Sequence, residues 1–527
     1  MPTDSPTPRA ESHAAAGRLD GRQRLLVVVA LLAGLALMIA HALTKMPHVD
    51  EGDLGSAAVS ILDRGHMAFP FSYYYLPSFR DDYLLPPFYF YTLAGWFALV
   101  GRTIETFRAF HVLWWLALTL CWISVVRSAS RSASATVIGA VLLALNYDTI
   151  NLGVSRYDIV TAALNAAAIA AYLAWRRDHF TRAIVVANAC LALAAITHPH
   201  AIFGLLTCGL IFAWTGDWRR VRPRHAALAL LPYAVAFGTW ALLIDGRWSL
   251  FLDQMLYGTR SKRGATGDPL ASLATDLRIR WWELFAGWRE GVPVVMKAKT
   301  GFLVVWTAAA IVALWGRRGN GEANAIRRAL SLSTLLIVVM LAFIDTLRLQ
   351  IYVINVVPPA VATLAIVLGG VWDERRTLRP IAAAGVAGMA LFAMAAIAFR
   401  VRANDLRTRY APVARVLADS VGAGDVAIAP ADLAYAVGFR ADIRSDPAFS
   451  SLASGALPKI VVRSEEQGTL ALPRRVPCPL GAAAPVDSAS YADITPPQAG
   501  DEYRVYVRRP AASADSTRTI VRDCRGG

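Results

Sequence analysis

The stretch PFYFYTLAGWFALV, residues 87–100, decides how this chain is threaded. It is apolar and rich in Phe, Tyr and Trp, yet short and interrupted, whereas a helix that crosses a bilayer needs about 20 mostly apolar residues. If it crossed, every later loop would change sides. Arg127/Arg131, Arg176/Arg177, Arg219 to Arg224, Arg317/Arg318 and Arg375/Arg376 would then all face outward, against the bias that keeps Lys and Arg on the cytoplasmic side. If it lies in the membrane interface instead, as its aromatic content permits, all those clusters become cytoplasmic. The second threading is the one expected.

Outward from that stretch, the spans read 25–43, 107–126, 135–150, 159–175, 182–197, 201–215, 226–244, 300–316, 329–345, 352–371 and 380–399. The expected fold class is therefore an α-helical polytopic membrane protein of about eleven transmembrane helices, integral to the plasma (inner) membrane. The composition agrees. The 527 residues are 56% hydrophobic and only 17% charged, against about 25% charged in soluble domains, and mean hydropathy is +0.43. The net charge of +15 does not indicate nucleic acid, because Lys and Arg sit in short clusters between apolar runs rather than along one soluble face. Lipid phosphates are the expected anionic partners.

Arg18, Arg22 and Arg24 precede an apolar run ending in Ala40-His41-Ala42, which imitates a signal-peptide cleavage site. The run exceeds the usual h-region of about 7–15 residues, so an uncleaved anchor is expected, behind a disordered cytoplasmic segment at 1–20. Residues 21–400 form the expected transmembrane domain, with interfacial helices in 44–106. Hydrophobicity drops after Arg400. A helix at 411–420 and β-rich pieces at 425–429, 459–463 and 503–507 predict a small extracytoplasmic α/β domain over 401–527. Val421-Gly422-Ala423-Gly424-Asp425 reads as a helix-to-strand turn, not a nucleotide fingerprint. Cys121, Cys190 and Cys208 fall in apolar runs as small hydrophobes; Cys478 and Cys524, in the tail, are permitted to pair outside the cytoplasm.

This threading gathers ionisable groups on the outer side. His48-Val49-Asp50-Glu51-Gly52-Asp53 follows the first helix, Asp81-Asp82 precedes Pro86-Pro87, and Ser155-Arg156-Tyr157-Asp158 opens the fourth helix. Thr197-His198-Pro199-His200 forms another outer turn, and Arg348 and Gln350-Ile351-Tyr352 lead into Pro358-Pro359. Each has a bland explanation too. Acids favour a helix N-terminus, Arg156 and Asp158 make a local ion pair, and a His pair spaced i, i+2 without Cys is a poor metal signature. In loop 245–298, Arg260, Lys262 and Arg263 suit anionic headgroups, and Ile279 to Trp288 suits an interfacial helix.

Taken in order, Asp50-Glu51, Pro86-Pro87-Phe88-Tyr89-Phe90-Tyr91, Arg156-Tyr157-Asp158 and Arg348 through Pro359 resemble the GT-C glycosyltransferases, in particular protein O-mannosyltransferases and lipid A aminoarabinose transferases. The likeness covers roughly residues 20–400. It implies a sugar donor on a polyprenyl monophosphate and inverting transfer to a hydroxyl of a glycan, lipid or protein acceptor. Many bacterial relatives carry Lys directly before the Pro-Pro pair, where this chain has Leu85 and Pro86, so a phosphate contact must come from elsewhere; the His198–His200 turn is one candidate.

Asp50 is the expected general base, because an alcohol needs a proton acceptor as its bond forms, with Glu51 or Asp53 orienting the acceptor. Arg156 and Arg348 are expected at the donor phosphate, whose charge grows as it departs, assisted by His198, His200, Tyr352, Asp158 and Asp82. No metal or other cofactor is expected to be obligatory, although related folds leave room for a divalent cation. The competing class is a transporter or flippase of lipid-linked sugars. Such carriers place ionisable groups near the bilayer midplane in repeated halves, and no repeat is visible here.

Overall fold

The computed structural model describes residues 19–73, 75–262, 268–315, 321–447, 458–464, 475–477, 483–485, 491–499 and 502–509. Cys478, Cys524, the Arg317/Arg318 cluster, residues 1–18 and the side chains of Arg260, Lys262 and Arg263 lie outside the described residues. Nine of the eleven expected spans each lie on one helix, whereas 135–150 divides between Ala133–Ala144 and Tyr147–Leu152, and 352–371 starts in the 3-10 segment Gln350–Asn355 before the helix Val357–Glu374. Among the described residues, eight helices are long and apolar enough to cross a membrane, and Ala133–Ala144, Phe180–Ala195 and Ala201–Trp214 are shorter. The first helix, Gly21–Ala42, exposes Leu25, Leu26, Val28, Val29 and Leu32, and Pro223–Ile244 exposes Leu230, Leu231, Val235 and Leu242. Helices this apolar on their outer faces are stable only in lipid. The protein is an integral, multi-pass membrane protein.

Phe88–Val100 is a helix of 13 residues, about 20 Å long at 1.5 Å per residue. That falls short of the ~30 Å hydrocarbon core.

The chain divides into two compact units. The first comprises Met1–Ile39, His111–Leu242 and Gly258–Ala398. Its helices meet through small residues, as lipid-embedded bundles do where backbones approach closely. A side chain at Gly369 would run into Ala135, and one at Gly204 into Asn165. On the Arg176 side, Arg176 Nε donates to Asp217 Oδ2 at 2.6 Å and Tyr172 Oη donates to the same oxygen at 2.7 Å, while Glu322 also pairs with Arg176 and Arg177.

The second unit comprises Ala40–Phe110, Leu243–Tyr257 and Phe399–Gly527. Its five-stranded sheet is ordered Asp442–Arg444, Val426–Ile428, Ile460–Ser464, Tyr503–Arg508, Tyr491–Asp493. β1 (Val426–Ile428) pairs in parallel with β2 (Asp442–Arg444) and β3 (Ile460–Ser464). β4 (Tyr491–Asp493) and β5 (Tyr503–Arg508), the next strands of this sheet, run antiparallel to each other, and β5 runs antiparallel to β3. The helix Ala411–Ser420 buries Val413, Ala414 and Leu417 at the i, i+1, i+4 spacing of one helical face, in a core with Ile443, Ile460, Val462 and Val505. The tail does not form this core alone. Phe71 joins it, Ser72 bridges Ser445, and Val49–Arg64 packs on the 3-10 turn Ala431–Tyr435. The glycines of the acidic motif allow that approach: a side chain at Gly52 would collide with the Ala431 backbone, and one at Gly55 with the Tyr435 hydroxyl.

Candidate functional site

In the second unit, His48 caps the helix Val49–Arg64. Its Nδ1 accepts the Asp50 N–H at 3.1 Å, while Glu51 Oε1 accepts the His48 N–H at 3.1 Å, a reciprocal cap that fixes the first turn. Four acids of this unit, Asp50, Glu51, Asp53 and Asp82, have different surroundings. Glu51 is fully buried and held by Arg108, with Nε–Oε2 at 2.8 Å and Nη2–Oε1 at 3.1 Å. Arg108 Nη1 also donates to the carbonyls of Ala42 and Lys45 at 2.7 and 3.0 Å. Burial pushes the Glu51 carboxyl up, but Arg108 outweighs it and holds the group below the usual carboxylate range. Asp53, buried, accepts the Ser72 hydroxyl at 2.6 Å. Asp82 pairs with Arg247, and Gln254 ties its turn by donating to the Asp82 carbonyl at 2.6 Å and accepting the Leu84 N–H at 3.0 Å. Asp50 keeps its side chain 20% exposed, which fits it for exchanging a proton better than Glu51 or Asp53.

In the first unit, Arg156, Tyr157, Asp158, His198, His200 and Tyr352 come together. Arg156 Nε donates to Asp158 Oδ2 at 3.1 Å, and His200 Nδ1 lies 3.7 Å from Asp158 Oδ1. The His198 and His200 rings meet edge to face at 4.1 Å, His200 meets Tyr352 at 4.4 Å, and His198 meets Tyr157 at 5.0 Å. The Arg156 guanidinium lies 6.0 Å from the Tyr352 ring centre. Asn355 Nδ2 is 3.3 Å from His200 Nδ1, and Asn165 Nδ2 donates to the His200 carbonyl at 3.1 Å. Three helices begin at this cluster, at Asp158, Ala201 and Val357. Their N-terminal ends carry partial positive charge suited to an anion.

Arg348 makes its contacts elsewhere. Its Nη1 donates to the Thr346 carbonyl at 2.7 Å, and its backbone sits at φ 53°, a left-handed conformation costly for a residue with a Cβ. A network not foreseen from the sequence holds that turn. Arg280, fully buried, pairs with Asp276 at 2.8 Å and Asp345 at 3.1 Å and donates to the carbonyls of Leu349 and Asp345. Asp345 Oδ2 in turn accepts the Leu349 N–H at 2.7 Å. The stretch expected as an interfacial helix, Ile279–Trp288, is π-helical over Leu277–Phe285, with Arg280, Trp281 and Phe285 on its buried side and Trp282 exposed. A hydrophobic face was visible in the sequence; a charge pointing the same way was not.

A second unforeseen pair is Lys299 with Asp148, 2.6 Å apart and buried. It lies at a groove of about 530 Å³ lined by Leu145, Tyr147, Val305, Leu368, Gly385 and Phe392 among others.

No family model and no curated protein matches the chain. Solved structures do. ArnT from Cupriavidus metallidurans, bound to undecaprenyl phosphate, aligns over 93% of this chain and 98% of its own, at TM-score 0.60 and 15% identity. The oligosaccharyltransferase of Archaeoglobus fulgidus in the apo form aligns over 88% of this chain and 74% of its own, at 0.53 and 12%. The same organism's AglB, in complex with an inhibitory peptide and a dolichol-phosphate, covers 85% and 70%, at 0.54 and 13%. The fold is that of the GT-C glycosyltransferases, polytopic helical membrane proteins. Within that class, the first of these aligns along nearly its whole length.

Proposed function

We propose that the protein is an inverting glycosyltransferase that moves a sugar from a polyprenyl-phosphate donor to a hydroxyl of an extracytoplasmic acceptor. One observation carries this reading: Arg156, His198, His200 and Tyr352 gather where three helix N-termini begin. Arg156 grips a phosphate oxygen, and the helix ends and imidazoles hold the rest of the headgroup. Asp158 orients Arg156 through their 3.1 Å hydrogen bond. The apolar groove beside Lys299 takes the lipid chain. The solved relatives with undecaprenyl phosphate or a dolichol-phosphate bound support this donor class.

In the reaction, the bond between the anomeric carbon and the phosphate oxygen breaks and leaves its electron pair on the polyprenyl phosphate. The acceptor oxygen bonds to that carbon from the opposite face, as in single displacement, and Asp50 takes its proton. Arg156 and the helix ends stabilise the charge that develops on the phosphate. Glu51 and Arg108 position the helix that carries Asp50.

The decisive assay gives purified protein radiolabelled polyprenyl-phosphate sugars together with candidate acceptors. Wild type is expected to form labelled product, and Arg156→Ala to lose at least about 100-fold in kcat/KM, the cost of removing a stabilising donor. Movement of the donor across vesicles with no glycosidic product would replace transfer by transport.

A further inference from the structure

We propose that Asp158, His198 and His200 form a binding site for a divalent transition-metal cation. Their candidate ligand atoms all lie within 4.8 Å of one another, and all three residues are buried. Two ligand atoms about 2.1 Å from a tetrahedral ion stand roughly 3.4 Å apart; His200 Nδ1 and Asp158 Oδ1 are 3.7 Å apart. These two are the anchoring pair. His198 Nδ1 accepts the His200 N–H at 3.2 Å, so that ring joins the ion by giving up one long hydrogen bond.

A second observation points to a ligand. Asp158 Oδ1 is buried and has no hydrogen-bond partner among the described residues, and neither has Asn355 Oδ1. A buried carboxylate oxygen without a partner is costly, and a cation removes that cost. The Arg156 Nε bonds to Oδ2, which fixes the carboxylate plane and leaves Oδ1 open. Such an outer partner orients a metal ligand. The Nδ1 of His200 lies 3.3 Å from the Asn355 amide nitrogen, so this ring likewise exchanges one long hydrogen bond for the ion.

Two imidazole nitrogens and one carboxylate oxygen select Zn²⁺, Mn²⁺ or Co²⁺ over Ca²⁺ and Mg²⁺, which prefer all-oxygen shells. Three protein ligands leave an open coordination position, as catalytic zinc sites do. Its occupant is a phosphate oxygen of the donor; this last step rests on the transfer reading above, whereas cation binding itself does not.

The test strips the full-length, detergent-purified protein with a chelator and titrates it with Co²⁺, following the visible d–d absorption and bound metal by elemental analysis. One Co²⁺ per chain is expected, displaced by Zn²⁺ and not by Mg²⁺, with a rise in Tm from binding to the folded state. Asp158→Asn and His200→Gln, checked for wild-type unfolding behaviour, should weaken binding by more than about 100-fold, beyond the loss typical of an outer-shell partner. His66→Gln, outside the site, should bind as wild type does. Folded wild-type protein that takes up no stoichiometric Co²⁺, or takes it up equally in both ligand variants, overturns the site. Loss of sugar transfer with Co²⁺ binding intact would count against the transfer reading alone.

Discussion

Arg108 and Glu51 form a two-pronged ion pair, 2.8 and 3.1 Å, from which solvent is excluded on both sides. The pair separates roles within the acidic motif. Glu51 is the third residue of its helix and takes part in the cap, so Arg108 anchors the turn on which Asp50 is displayed. Glu51 accepts three hydrogen bonds, two from Arg108 and one from the His48 N–H, and is closed to solvent, whereas Asp50 keeps contact with it.

Breaking that pair from one side leaves a buried charge uncompensated, which costs about 3–5 kcal/mol. Arg108→Ala and Glu51→Ala should each lower thermal stability markedly in detergent, whereas the double variant Glu51→Gln/Arg108→Met recovers much of the loss. Acid acts on the same pair. The folded-state carboxyl is held below its unfolded value of about 4.3, so the stabilisation is present above that value and is lost as the pH falls through the lowered folded-state value. Unfolding scans from pH 6 down to pH 3 should show a drop that is absent in the double variant.

Asp50→Asn keeps the size of the side chain and removes its basicity. Sugar transfer should fall by more than about 100-fold, the span of general-base assistance, while the Tm stays within a degree or two. Equal rates for the two proteins would assign the proton to another group.

Gly52 tolerates no side chain. A Cβ there meets the Ala431 backbone, and backbone cannot rotate aside as a flexible side chain does. Gly52→Ala should cost about 1–3 kcal/mol, as overpacking does, and Gly52→Val more. The C-terminal sheet should show the loss first, by limited proteolysis, because Ala431 sits on its connecting turn.

The sequence carried the spans, the basic clusters and most of the tail, because a 20-residue apolar run or a β-branched strand is a local signal. Val426–Ile428, Ile460–Ser464 and Tyr503–Arg508 lie on expected strands, and Ala411–Ser420 on an expected helix. The Arg156–Asp158 and His198–His200 motifs were legible because each falls at a helix mouth, where charge is unusual. Four features were not legible. Arg108 pairs with Glu51, 57 positions away, and Lys299 with Asp148, 151 positions away; no local pattern marks such partners in an apolar run. Arg280 looked like the polar face of an amphipathic segment, since a charge facing a buried acid and one facing water have the same periodicity. The role of Gly52 and Gly55 depends on a turn some 380 residues downstream.

The groove beside Lys299 offers the last prediction. A Cβ at Gly385 or Gly388 meets nothing within 4 Å, and both residues line the groove. Phe at either position therefore enters open space rather than the packed bundle, and stability should be preserved. If the lipid chain of the donor lies there, the aromatic ring displaces several of its methylenes, each contributing about 0.8 kcal/mol when buried. Losing two of them corresponds to roughly a tenfold weaker donor interaction. KM for a long-chain polyprenyl-phosphate sugar should rise by about that factor in Gly388→Phe, with kcat little changed, if the groove holds only the lipid chain. A donor with a chain of two or three isoprene units, too short to fill the groove, should be affected far less. A variant that handles long and short donors exactly as wild type does would move the lipid chain to another face of the bundle.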